Sequence, residues 1–132
     1  MSIGSAGSEF PRTGFLDRQR QEMQNLVGHL SVCLDSLALG DGSSAEIRRE
    51  YFWKLNDLFE AAIVHFRCEE EWLAAVCYPF LAEHQMEHGH FIEKMSEALL
   101  LANEKPIDPT TVKYAADWIG KHERKSDGNH AE

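Results

Sequence analysis

Residues 80–95 read FLAEHQMEHGHFIEKM. Leu81, His84, His88, Phe91 and Met95 recur at steps of three and four, the spacing of one face of an α-helix. Two histidines therefore stand on a seam that is otherwise apolar. His90 lies roughly 200° around the helix from His88 and belongs to the opposite, solvent-facing side. The neighbouring segments decide whether the two seam histidines are an isolated irregularity or part of a site.

Upstream, Leu55, Leu58, Ala62, Trp72 and Val76 predict a long helix that Pro79 stops, and Ser43 with Glu46 makes a capping-box pattern at its start. Its seam is interrupted by His65 and Glu69. Before it, Leu16, Met23, Val27, Leu30, Leu34 and Leu37 predict a helix over about 16–38, broken by GDGSS. Downstream, the 80–102 helix ends at NEKP. Asp108 and Pro109 then form an N-cap and first-turn pair for a fourth helix, in which Val112, Ala115 and Ile119 lead to His122 and which ends near Asp127. No segment alternates like a strand. The fold class is all-α, an up-down-up-down four-helix bundle with short connections.

In such a bundle the end of the second helix, the start of the third and the end of the fourth share one pole. His65, Glu69, His84, His88 and His122 fall in one inward-facing layer there. Leaving five such groups buried without partners would cost several kcal/mol in total. His65 with Glu69, and His84 with His88, are each one turn apart on one face and aim at a common point. Imidazoles converging with a carboxylate in an apolar layer suit a first-row transition metal, iron or zinc, rather than magnesium or calcium. His29 lies on the far side of the first helix and His130 in the tail, so neither joins the layer.

Composition narrows the function classes. The 132 residues suit one domain, and 13 basic against 22 acidic residues give a net charge of -9. That sign argues against nucleic acid and against an anionic membrane surface as partners. No apolar run reaches the roughly 20 residues of a membrane span. The N-terminus lacks a secretory pattern and three cysteines form no paired framework, which points to the cytoplasm.

HFRCEE (65–70), HQMEH (84–88) and WIGKHERKSD (118–127) together resemble the H-F-x-x-E-E, H-x-x-x-H and W-[LI]-x-x-H-x-x-x-x-D motifs of hemerythrin-like proteins. The resemblance runs from about 14 to 127. It implies a bundle over 15–127; by composition residues 1–14 read as a flexible lead-in and 128–132 as a polar tail, a candidate link to a downstream module. It also implies two oxygen-bridged irons, one held by His84, His88 and His122, the other by His65, with Glu69 and Asp127 bridging. Asp127 rests on the resemblance alone, since five residues beyond His122 is about 140° around a regular helix.

The first helix departs from the family. Where relatives read I-D-x-Q-H this chain reads LDRQR, placing Arg20 at the position of a histidine ligand. A guanidinium stays protonated and does not normally ligate. The second iron would then have an open position, or be lost so that one iron remains. Arg20 would either pair with a carboxylate such as Glu69 or Asp127, or hold a cation near the vacancy to attract an anion. The expected function is a non-heme diiron domain that senses oxygen or redox state, with dioxygen or small anions such as azide at the iron. It would be the N-terminal regulatory part of a bacterial signalling protein rather than an enzyme. The alternatives are a diiron oxidase or peroxidase, an oxygen carrier, an iron store and a metal-free interaction bundle. Diiron carboxylate enzymes of the ferritin type use two Glu-x-x-His pairs. Only Glu87 with His90 has that spacing here, and His90 faces away.

Overall fold

The computed structural model describes residues 3–40, 44–102 and 107–131, with side chains over 14–40, 44–102 and 107–122. Its elements are α1 (Ile3–Leu39), α2 (Ser44–Ala75), α3 (Leu81–Ala102) and α4 (Pro109–Ala131). Each helix packs on the next in sequence, and α1 also packs on α4, so the four close into a bundle. The described residues contain no strand. No described helix is long and apolar enough to cross a membrane.

Local chemistry sets the helix ends. Gly40, in the left-handed region at φ 74°, ends α1, and its N–H donates to the Leu37 carbonyl. At the end of α2 the N–H of Tyr78 bonds to the carbonyl of Leu73 and that of Cys77 to Ala74, the two hydrogen bonds of a Schellman cap. Cys77 occupies the left-handed position of that cap, at φ 58°, and Pro79 then prevents the helix from resuming. Asp108 caps α4 by accepting from the backbone N–H of Thr110 at 3.0 Å. Ser43 and residues 103–106, expected to cap α2 and to break α3, lie outside the described residues.

The core follows the expected seams, except that Leu34, Leu37 and Leu81 are only half-buried and the seam of α2 shifts near its end. Leu16, Met23, Val27 and Leu30 from α1 and Leu55, Leu58 and Ala62 from α2 are buried, as are Phe91 and Met95 from α3 and Val112, Ala115 and Ile119 from α4. Burying side chains of this size contributes about 1.5–3 kcal/mol each. Beyond Glu69, however, the seam of α2 continues by a step of four to the fully buried Leu73. Trp72 is only half-buried and Val76 is exposed, because α2 has already ended at Ala75. Helix α1 begins well before Leu16, and α4 runs past Asp127 to Ala131.

Candidate metal centre

The layer of polar residues lies at the pole where α2 ends and α3 begins. Glu69 is fully buried, and its Oε1 lies 2.9 Å from Nε2 of His84, 2.9 Å from Nε2 of His88 and 3.2 Å from Nε2 of His122. The Nε2 atoms of His88 and His122 are themselves 3.0 Å apart. Three imidazole nitrogens from two helices thus surround one carboxylate oxygen from a third. His65, also buried, points its Nε2 at the other oxygen of Glu69, Oε2, from 3.8 Å.

Two of the outward nitrogens are anchored by hydrogen bonds. Nδ1–H of His88 donates to Glu70 Oε2 at 2.6 Å, and Nδ1–H of His65 donates to Gln19 Oε1 at 2.9 Å. The Gln19 amide nitrogen is turned to Cys68 Sγ, which leaves its oxygen for His65 and fixes that tautomer. His122 Nδ1 lies 3.4 Å from Glu87 Oε1. Aromatic rings hold the imidazoles in plane: Phe66 stacks on His88 with centroids 4.0 Å apart, and Trp118 stacks on His122 at 4.5 Å. Tyr78, in the turn after α2, meets His84 edge to face.

The anchor on His88 sets acceptor against acceptor at the centre of the site. A neutral imidazole that donates through Nδ1 presents a lone pair at Nε2. His88 therefore directs a lone pair at a carboxylate oxygen and at His122 Nε2. Burial pulls the His122 pKa below its usual value, although Glu69 opposes it. Burial likewise lowers His65, to about 4. On Glu69 burial pushes the pKa up, while the imidazoles of His122, His84 and His88 gathered at Oε1 push it below the ordinary carboxylate range.

One cation at the centre would satisfy Glu69 Oε1 and the Nε2 atoms of His84, His88 and His122 together. With bonds of about 2.0–2.2 Å to nitrogen and oxygen, neighbouring ligands of one ion stand roughly 3.0–3.5 Å apart. Four of the six edges, at 2.9, 2.9, 3.0 and 3.2 Å, are close to that spacing. The whole set of four ligand atoms lies within 4.8 Å. The donor chemistry, three imidazoles and one carboxylate, fits a first-row transition metal.

Comparison with known proteins agrees with this chemistry. The hemerythrin HHE cation-binding domain matches residues 13–129. The chain belongs to the hemerythrin family. Among its relatives is a bacteriohemerythrin of Methylococcus capsulatus, 26% identical over 116 residues, covering 86% of this chain and 82% of the relative. Myohemerythrin-1 of Phascolopsis gouldii is 30% identical over 73 residues, 55% of this chain and 57% of the relative. The bacteriohemerythrin of Clostridium acetobutylicum is 36% identical over 73 residues, 50% and 54% of the two chains. The chain thus spans little more than half the length of the myohemerythrins it matches. No solved structure matches it.

Within this hemerythrin domain, Glu69, His84, His88 and His122 come together and His65 joins them at the far oxygen of Glu69. His90 and His29 are exposed, as their helical phase requires. The side chains of Asp127 and His130 lie outside the described residues. Arg20 is mostly buried, with Nη1 2.6 Å from Asp17 Oδ1 and Nη2 3.8 Å from Glu69 Oε2. The sequence reading assigned no role to Gln19, which anchors His65, to Glu70, which anchors His88, to Glu87 beside His122, or to Phe66 and Trp118, which stack on His88 and His122. A signal existed for several of these: Phe66, Glu70 and Trp118 are themselves matched positions of the motifs.

Proposed function

We propose that this domain binds non-heme iron at His84, His88, His122 and Glu69 and reports oxygen or redox state. The observation that carries the reading is the set of roughly 3 Å edges among three imidazole nitrogens and one buried carboxylate oxygen. Bound iron would supply reversible oxidation and exchangeable positions for dioxygen or a small anion such as azide. The protein residues set the conditions for it. Glu70 holds the proton on His88 Nδ1 and so keeps Nε2 available to the ion. Phe66 and Trp118 exclude water from the ring faces and fix the ring planes.

The three imidazoles and the carboxylate come from α2, α3 and α4, so a change in their preferred spacing acts on three helices at once. This favours a regulatory domain of a bacterial, cytoplasmic signalling protein, joined to an output module. The names of the bacteriohemerythrin relatives support a bacterial setting. The enzyme reading is weaker, since the single Glu-x-x-His spacing ends in exposed His90.

The test is iron per chain after loading with ferrous iron under argon, followed by absorption and tryptophan emission as air and then azide are added. Retained iron, a visible band that appears on oxidation and responds to azide, and an emission change from Trp118 are expected. Folded protein that retains no iron, or iron whose oxidation leaves the emission and the far-UV signal untouched, would refute the reading.

A further inference from the structure

Glu69 divides the pole into two halves that differ in chemistry. Oε1 faces three histidines. Oε2 has no hydrogen-bond partner among the described residues and lies 3.8 Å from Arg20 Nη2 and 3.8 Å from His65 Nε2. A carboxylate this deep needs positive charge at both oxygens. An ion at the three histidines provides it at Oε1. At Oε2 the neighbouring positive group is the guanidinium, which cannot be deprotonated in a protein.

Arg20 is not loosely placed. Its side chain is mostly buried and is tied at its other nitrogen to Asp17. Beside the guanidinium, a cavity of about 10 Å³, at the lower limit for one water, is bounded by Arg20, Met23, His65, Phe66 and three residues of α4. A second ion at Oε2 would find one imidazole and one carboxylate oxygen among the described residues. It would stand beside a fixed cation, 3.8 Å from the carboxylate oxygen it would share.

We infer that the domain holds one metal ion, at His84, His88, His122 and Glu69 Oε1, and that Arg20 is a built-in cation standing in for a second ion at Glu69 Oε2. The inference rests on the metal-binding reading and departs from the two-iron centre and open position that the resemblance implies. His65 then serves as a neutral group, donating through Nδ1 to Gln19, rather than as a ligand. Oxidation of a lone ion changes the charge of the site by one unit against a guanidinium that does not change.

The experiment compares wild type, Arg20→His and Arg20→Lys, each loaded with ferrous iron under argon, desalted, and checked for helicity by circular dichroism. Iron per chain is measured by elemental analysis, and the oxidised samples are examined by electron paramagnetic resonance. Wild type and Arg20→Lys are expected to hold one iron with the signal of an isolated ferric ion. Arg20→His is expected to hold two, with the signal diminished by coupling between neighbours. Two irons in wild type or Arg20→Lys would overturn the inference, as would folded Arg20→His remaining at one. Should Arg20→His fail to fold, the wild-type and Arg20→Lys counts still decide between one ion and two. No iron in folded wild type would instead remove the metal-binding reading, and the inference with it.

Discussion

Replacing Glu70 by alanine should weaken metal binding while leaving the apo fold nearly intact. Glu70 accepts from His88 Nδ1 at 2.6 Å and is steadied from α3 by the Gln85 side-chain amide at 3.4 Å. Without it, neutral His88 is free to move its proton to Nε2, which removes the lone pair an ion needs. Loss of such an outer partner costs about 10- to 100-fold in metal affinity, or about 1.4–2.8 kcal/mol. Glu70→Gln keeps an acceptor oxygen without the charge and should fall near the lower end of that range. Affinity is read by competition of cobalt(II) between the protein and a coloured chelator at pH 7. Urea unfolding of the apo proteins runs in parallel and should differ by no more than about 0.5 kcal/mol, since Glu70 is partly exposed. Affinities within threefold of wild type for Glu70→Ala would refute the reasoning. So would an affinity loss matched by an equal loss of apo stability, which would make Glu70 merely structural.

Three further outcomes are expected. His88→Ala should abolish tight cobalt binding whereas His90→Ala, on the exposed side of the same helix, should leave it unchanged, as the same competition assay will show. The metal-free protein should lose stability as pH falls from about 6.5 towards about 4. The unfolded chain takes up a proton at His65 near its ordinary pKa of 6.5, while the folded chain resists until about 4. That difference is worth about 3 kcal/mol, readable by urea titration between pH 7 and pH 4. Cys77→Gly should stabilise the protein by about 0.5–1 kcal/mol, because a left-handed position disfavours any side chain, and a higher melting temperature would show it.

The helices and the converging ligands were legible because both follow from one period. A seam stepping by three and four locates the core of each helix, and histidines standing on that seam must face inward together. The Leu73 shift shows where this reasoning loses precision. From Glu69 the next seam residue can be three or four further on, and only the packed position of α2 decides between Trp72 and Leu73. The anchors were less visible for a different reason. Gln19 meets His65 across the α1–α2 interface, and Glu87 meets His122 across α3–α4, so each depends on the relative height of two helices, which no single-helix pattern encodes. Arg20 was legible as a departure, but the facing of Glu69 Oε2 towards its guanidinium required coordinates.

The depth of Glu69 has a kinetic consequence. Its side chain has 0% exposure and the three histidines no more than 7%, so among the described residues none of the four ligands faces solvent. Exchange of metal must wait for the pole to open, by fraying of the α2–α3 turn or parting of α4. Release then proceeds at the rate of a local unfolding event, and raising the concentration of a competing chelator beyond saturation will not hasten it. A domain built this way retains the metal acquired as it folds, and its loading records conditions at synthesis more faithfully than later swings in metal supply.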